Sequence, residues 1–373
     1  MRAAVLHGVK EPLRIEELEL DPPKAGEVSV RMLASGVCHS DVHRADGDWG
    51  ERPIYPIVLG HEGAGVVEAL GEGVTGLGLG QLVVLNWYYP CRSCGRCAEG
   101  REWLCSGSRS AEHLQMDGTT RLHTSESLDV RAYLSIGTFG ERTVVPAQAA
   151  VALPEGTPPE VAALIGCCVS TGIGAVVNTA RLPAGASAAV IGLGGVGLSA
   201  VMGAAMRGAD PIVAVDLDPG KLGLAVDLGA THVVSGADRD RALRQIGRLT
   251  GGGADFAFET AGASAAAELA ISSVGAGGTA VLVGLPATGD RASFEIFGLV
   301  DRSKQIVGSL YGWSVGARDF PLYAHLYLDG RLPIDRLVEE RIGLGDVNRA
   351  MDALRGGRGA RRVIVFDAGT VSA

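Results

Sequence analysis

The sequence has no run of basic residues, and 33 Lys and Arg against 42 Asp and Glu leave a net charge of −9. Clustered positive charge is the footprint of nucleic-acid binding, so a small molecule is the expected partner. The opening segment MRAAVLHGVK lacks the apolar core of a secretory signal, which points to the cytoplasm. No internal repeat, low-complexity linker or collagen period is present, although 55 of 373 residues are glycine. Spread through apolar strings, these glycines mark tight turns and close backbone approaches. The one long uncharged stretch, Leu182–Met206, contains Pro183 and six glycines. It reads as a turn within a core rather than a membrane span. The seven cysteines are an odd count with four crowded between 91 and 105, unlike the disulfide framework of a small secreted domain.

What is present is enough apolar residue, 47%, to fill more than one core, and a chain of this length divides into two domains. Residues 1–155 alternate short apolar runs with Gly/Pro turns, as at Val28–Leu33, Gly65–Leu70, Gln81–Leu85 and Thr143–Pro146. That pattern predicts a β-rich domain. Residues 156–310 alternate strands (Ala188–Gly192, Ile212–Asp216, His232–Ser235, Asp255–Glu259, Thr279–Gly284) with helices (Gly195–Met206, Pro219–Leu228, Arg239–Leu249, Ala263–Val274). Such alternation predicts a doubly wound parallel sheet, the Rossmann arrangement. Residues 311–373 supply helices at Phe320–Leu328 and Asp346–Leu354 and a strand at Arg362–Phe366. They are too few for a core of their own and are expected to return to the first domain.

At the end of the strand Ala188–Ile191 stands Gly192-Leu193-Gly194-Gly195-Val196-Gly197, followed by an apolar helix. The pattern alone is weak in a glycine-rich chain, but strand, turn and helix surround it here. Gly192 permits the turn, Gly194 lets a pyrophosphate approach the backbone, and Gly197 brings the helix close to its strand. The helix N-terminus offers free N–H groups to phosphate. Nineteen residues beyond Gly197 the next strand ends in Asp216. A carboxylate there accepts hydrogen bonds from an adenosine ribose and repels a 2′-phosphate, which predicts NAD over NADP. Lys221, on the following helix, is a further candidate for the ribose.

Cys91, Cys94, Cys97 and Cys105 place four thiolates on one loop, a set suited to a closed, structural zinc site. A redox-active pair is the rival, since the spacing also contains C-x-x-C. Cys38, His61 with its neighbour Glu62, and Cys167 are the other metal candidates. Two thiolates and an imidazole leave a fourth position open, as in a catalytic zinc site. These residues are expected to converge in a cleft between the domains. Cys168 reads as a small buried hydrophobe.

Taken with Gly36-Val37-Cys38-His39-Ser40-Asp41, Gly60-His61-Glu62-Gly63-Ala64-Gly65, Leu164-Ile165-Gly166-Cys167 and Ser170-Thr171-Gly172, these motifs stand in the order of a known family. The chain resembles the zinc-dependent medium-chain alcohol dehydrogenases over nearly its whole length. The resemblance implies a GroES-like catalytic domain beside the Rossmann domain and two zinc ions per subunit. Cys38, His61 and Cys167 would hold the catalytic ion, with Glu62 behind it and Asp41 orienting the His61 ring. Ser40 matches the hydroxyl that hydrogen-bonds the substrate, and His43 the surface base that takes its proton. Against NAD it implies His39 and Arg361 at the pyrophosphate, Thr171 and Val196 at the nicotinamide, and the backbone of Val283, Ser309 and Tyr311 at the carboxamide. Trp87 would line the substrate pocket, and the protein would form a homodimer or homotetramer.

The chain departs from many relatives in carrying His39 where they have Arg. Ile306–Gly312, Asp319-Phe320-Pro321 and Gly330-Arg331-Leu332-Pro333 look closest to a bacterial branch that includes mycothiol-dependent formaldehyde dehydrogenases, whereas Ser40 and His43 depart from that branch. The expected activity is reversible oxidation of an alcohol with hydride transfer to NAD. The alternatives are oxidation of a mycothiol or glutathione adduct of formaldehyde, a nicotinoprotein that holds NAD permanently, and a non-enzymatic zinc and NAD binder.

Overall fold

The computed structural model describes residues 1–50, 54–357 and 359–366. Two compact units emerge from its contacts. Among the described residues, the first comprises those within Met1–Cys167, Val315–Gly330 and from Ile334 to Phe366; the second comprises Cys168–Ser314 and Arg331–Pro333. The division thus falls at Cys167, beyond the boundary at 155 that sequence patterning suggests. The helix Pro159–Leu164 explains the difference, because it packs on the strands Glu27–Gly36 and Glu62–Leu70 of the first unit.

Two sheets build the first unit. One has the order Arg14–Glu17, Arg2–Leu6, Ile57–Val58, Asp129–Ala132, Leu122–His123, Glu19–Leu20. The other runs Ala150–Ala152, Leu82–Leu85, Glu62–Leu70, Glu27–Gly36, Arg361–Val365, Val338–Ile342, with Arg142–Pro146 also paired to Glu27–Gly36. Because Glu27–Gly36 is bonded on both edges and covered on both faces, it reads as a nearly continuous buried run; Val28, Val30 and Met32 enter the core. The late strand Arg361–Val365 pairs antiparallel with it, Val363 opposite Gly36 and Val365 opposite Ala34. The end of the described chain is thereby fixed beside Val37 and Cys38.

The second unit holds a six-stranded sheet in the order His232–Ser235, Ile212–Asp216, Ala188–Ile191, Ala254–Glu259, Val274–Leu282, Gln305–Gly308, with every pairing parallel. In chain order this is 3-2-1-4-5-6, the doubly wound arrangement whose ligand crevice lies where the order reverses. Asp218, with Pro219 behind it, caps one crossover helix by accepting from the Gly220 N–H at 2.8 Å, and Asp238 caps the next by accepting from Arg241 at 3.0 Å. The last-but-one strand begins at Val274, ahead of the expected Thr279, and its register against the neighbouring strand shifts at Ala254/Phe256.

The uncharged stretch 182–206 resolves into the strand Ala188–Ile191 and the helix Gly195–Met206. That helix is apolar all round because it is covered on most sides, which is how a core helix imitates a span. Among the described residues the helical run long and apolar enough to cross a membrane is instead Pro159–Thr179, and most of it is buried within the protein.

Candidate active site

Cys38 ends the turn after Glu27–Gly36 in an extended conformation and is the N-cap of the helix His39–Asp46. The cap is built by Asp41, fully buried, whose carboxylate accepts from the Cys38 N–H at 3.0 Å. The other oxygen of Asp41 accepts from the Gly60 N–H at 3.0 Å and from His61 Nδ1 at 3.1 Å. A carboxylate has no proton to give, so His61 must donate from Nδ1, leaving the Nε2 lone pair for a metal. One aspartate therefore sets the backbone before Cys38, the turn at Gly60 and the tautomer of His61. Gly60 has φ +87°, and a Cβ there would fall 2.7 Å from the Phe139 backbone nitrogen, so no larger residue can precede His61 in this turn.

Cys38, His61, Glu62 and Cys167 are all buried, with their ligand atoms within 4.8 Å of one another. All four belong to the first unit, Cys167 as the last residue of its segment, so the cluster is complete within one compact body. Cys167 lies in a π-helical turn, Ile165–Val169, an irregularity frequent at functional sites.

The electrostatics fit a cation. Hydrogen bonding from Cys167 holds the Cys38 thiol well below its ordinary value, and Arg361 and His61 add to this against the cost of burial. Cys167 is pushed up by the same hydrogen bond and by burial. Burial pulls His61 down, but the charges of Asp41 and Cys38 outweigh it, and its net shift is strongly upward. Burial pushes Glu62 up to about 8, against the pull of Arg361. Both Glu62 oxygens are buried without a hydrogen bond, and the Arg361 guanidinium lies 3.2 Å from one of them. Two thiols, an imidazole and an under-satisfied carboxylate in one dry pocket are a soft donor set suited to zinc.

The second sulfur cluster is equally explicit. The thiols of Cys91, Cys94, Cys97 and Cys105 lie within 4.8 Å of one another, around the short helix Gly95–Ala98 that Cys94 caps. Cys94 is 3.6 Å from Cys97 and 3.9 Å from Cys105. Disulfide bonding requires about 2.05 Å, whereas sulfurs on a tetrahedron about 2.3 Å from a central zinc are about 3.8 Å apart. Backbone donors from Cys97 and Ser106 hold Cys94 at about 5, while burial raises Cys97 to about 12. The spacing matches zinc ligation, and convergence of all four sulfurs, rather than two, is what favours a metal over a redox pair.

Ser40 and His43 lie three residues apart on the helix His39–Asp46 and so are neighbours on one face. His43 Nδ1 is 2.7 Å from Asp48 Oδ2, and its ring contacts His39 and Trp49 at centroid distances of 5.0 and 5.3 Å. Trp87 stands edge-on to His61 at 6.3 Å. Tyr133 does the same at 5.7 Å; sequence reasoning missed it, because nothing in its local pattern separates it from core. Arg361 donates to the Val37 carbonyl at 3.0 Å and approaches Cys38 Sγ at 3.8 Å, so in this structure its partners belong to the Cys38 pocket.

In the second unit the glycine loop occupies the reversal point of the sheet. Gly192 has φ +89°, a Cβ on Gly197 would fall 1.8 Å from the Gly192 carbonyl oxygen, and one on Gly194 would meet nothing within 4 Å. The loop is closed against its own strand and open at its middle glycine, a cradle shaped for a phosphate. Thr260 Oγ1 donates to the Gly192 carbonyl at 2.6 Å from the neighbouring strand end. Asp216 accepts from the Leu193 N–H at 2.6 Å and the Asp218 N–H at 2.9 Å, so it shapes the loop. Thr171 is buried on the helix Ser170–Gly174, which packs against Val196 so closely that a Cβ on Gly172 would fall 2.2 Å from the Val196 carbonyl oxygen. Val283 and Ser309 follow adjacent strand ends and donate backbone N–H groups to Glu259 and Leu282. Tyr311 has φ +55°, and Lys221 lies half-buried on the helix Pro219–Asp227.

Comparison with known proteins agrees with this chemistry. Residues 24–155 match the alcohol dehydrogenase GroES-like domain family and residues 195–327 the zinc-binding dehydrogenase family. An S-(hydroxymethyl)glutathione dehydrogenase of Paracoccus denitrificans is 35% identical across 98% of this chain and 99% of its own. An NDMA-dependent alcohol dehydrogenase of Amycolatopsis methanolica is 38% identical over the same shares. The chain belongs to the zinc-dependent alcohol dehydrogenase family. Among solved structures it is similar to a benzyl alcohol dehydrogenase of Acinetobacter calcoaceticus, with TM-score 0.91, 30% identity and coverage of 98% and 99% of the two chains. An alcohol dehydrogenase zinc-binding domain protein of Burkholderia ambifaria gives 0.91 at 35% identity and 98% coverage of both. The protein is thus a zinc-dependent alcohol oxidoreductase with a small-molecule substrate, and the non-enzymatic alternative is set aside.

Proposed function

We propose that the enzyme reversibly oxidises an alcohol with NAD, using Cys38, His61 and Cys167 as the ligands of a catalytic zinc and the four-cysteine loop for a structural one. The observation that carries this reading is the burial of two thiols, an imidazole oriented by Asp41 and the Glu62 carboxylate within 4.8 Å of one another. When bound, zinc supplies Lewis acidity that makes the alcohol proton easier to remove, and the nicotinamide accepts hydride. The chain's own residues do the rest. Ser40 hydrogen-bonds the substrate hydroxyl and passes its proton toward His43. Asp41 keeps His61 in its ligating tautomer, while Trp87 and Tyr133 pack beside that ring and limit water. Gly192–Gly197 cradle the pyrophosphate, and Asp216 selects NAD by repelling a 2′-phosphate.

The test is nicotinamide absorbance with a panel of alcohols, NAD or NADP, with and without glutathione or mycothiol. The proposal expects reduction of NAD in preference to NADP; absence of any absorbance change would reject it. The similarity to S-(hydroxymethyl)glutathione dehydrogenase supports a second reading, in which only thiol adducts turn over. Likewise, NAD that survives dialysis would mark a nicotinoprotein. Exposed apolar side chains at Ile296, Phe297 and Val300 support a homodimer or homotetramer.

His39 bears on cofactor release. It begins the helix after Cys38 and is exposed, and desolvation where it meets His43, followed by the charge of His43, lowers it from its ordinary value. At neutral pH it thus offers little charge to a pyrophosphate. His39→Arg is expected to tighten NADH about tenfold, the scale of one charge-assisted contact, and to lower kcat where release limits turnover. Fluorescence titration with NADH checks it, and unchanged affinity contradicts the role.

A further inference from the structure

The contact between His43 and Asp48 is not part of the sequence reading, and it sits where helix electrostatics disfavour it. The helix His39–Asp46 ends at Gly47 in the left-handed conformation, whose N–H bonds the His43 carbonyl. Asp48 follows immediately and its own N–H also reaches that carbonyl, at 3.1 Å. A carboxylate beside the negative end of a helix is disfavoured by the helix dipole. Asp46, in the last turn, is offset by Arg355 at 2.7 Å. The partner that the structure gives Asp48 is His43, at 2.7 Å.

The direction of this hydrogen bond follows from chemistry. A carboxylate only accepts, so the ring must carry its proton on Nδ1. Nε2 then bears the lone pair. The rings of His39 and Trp49 restrict the imidazole from its sides, and Asp48 fixes its rotation about the Cβ–Cγ bond. Without such a partner, an imidazole in water favours the proton on Nε2, which would present a donor where a base is needed.

We infer that Asp48 is a positioning residue that holds His43 as the Nδ1–H tautomer, so that Nε2 is the atom that takes up the proton released from the alcohol through Ser40. The inference rests on the relay proposed above and adds the group that orients its base. On proton uptake His43 becomes an imidazolium against the Asp48 carboxylate, and returning the proton to water restores the neutral ring. No other group is consumed.

The test combines tautomer and turnover in the zinc-loaded protein. Two-bond 1H–15N correlation on 15N-histidine reads which nitrogen of the neutral His43 ring carries the proton. Wild type should show Nδ1–H. Asp48→Ala, at a side chain 36% exposed and outside the core, should shift the ring to Nε2–H and lower kcat/KM for alcohol about tenfold, as loss of a histidine's orienting partner does elsewhere. Asp48→Asn keeps an acceptor oxygen and should retain both the tautomer and most of the activity, which a purely charge-based role does not predict. An unchanged tautomer or wild-type kcat/KM in Asp48→Ala overturns the inference. His43→Gln separates this from failure of the relay. If His43→Gln loses turnover while Asp48→Ala does not, the relay stands and the positioning role falls. If His43→Gln turns over as wild type, the relay falls and the positioning role with it.

Discussion

Cys38→Ser is expected to abolish alcohol oxidation, by more than about a thousandfold, and to lower the zinc content from two equivalents per chain to one. Serine keeps the local fold: the Asp41 bond is to the backbone N–H of residue 38, at 3.0 Å, and serine is itself a favoured N-cap. The loss is therefore chemical. A hydroxyl at this position does not ionise as the Cys38 thiol does, which hydrogen bonding from Cys167 and the charges of Arg361 and His61 predispose to the thiolate. The remaining zinc equivalent belongs to Cys91, Cys94, Cys97 and Cys105, whose four sulfurs form a complete set of their own. Elemental analysis beside an activity assay reads both effects, and retained turnover removes Cys38 from the metal site.

Gly194→Ala is expected to weaken NAD by about a hundredfold while leaving the fold and both zinc equivalents intact. A Cβ at Gly194 meets no protein atom within 4 Å, whereas one at Gly197 would lie 1.8 Å from the Gly192 carbonyl oxygen. The two glycines thus separate two effects. Gly197→Ala must push the helix Gly195–Met206 from its strand, an overpacking cost of about 1–3 kcal/mol, and should lower thermal stability as well as affinity. Gly194→Ala has room in the protein and conflicts only with a pyrophosphate held against the backbone. Isothermal titration with NAD and a thermal melt distinguish them; undiminished NAD affinity in Gly194→Ala would show that the open middle of the loop is not the phosphate cradle.

Much of this was legible in sequence because the chemistry is local. Gly192 and Gly197 have short-range steric reasons within their turn, and Cys91–Cys105 lie on a single loop, so spacing alone brings the four sulfurs together. The apolar periodicity that marks Arg239–Leu249 is set by burial on one sheet and survives in the folded chain, with Ala242 and Ile246 buried. The Cys38 cluster is different. Residues 38, 61 and 167 meet only because Glu27–Gly36 and Glu62–Leu70 are paired, with Gly36 opposite Glu62, and no periodicity encodes that register. Family resemblance had to supply it. Tyr133 and Asp48 escaped notice for related reasons. Tyr133 reaches His61 from a distant 3₁₀ turn, and Asp48 meets His43 across a left-handed Gly47 that breaks the helical spacing by which the pair would be recognised. The helix Pro159–Leu164 carries the apolar composition of the second unit but buries its face on the sheet of the first, so the first compact unit extends past 155.

Anomalous scattering at the zinc edge from crystals of the purified enzyme tests the central claim most directly. Two peaks per chain are predicted, one inside the four-cysteine loop and one about 2.3 Å from the sulfurs of Cys38 and Cys167 and about 2.1 Å from His61 Nε2. A peak confined to the loop, with Cys38, His61 and Cys167 binding no ion, would contradict the account.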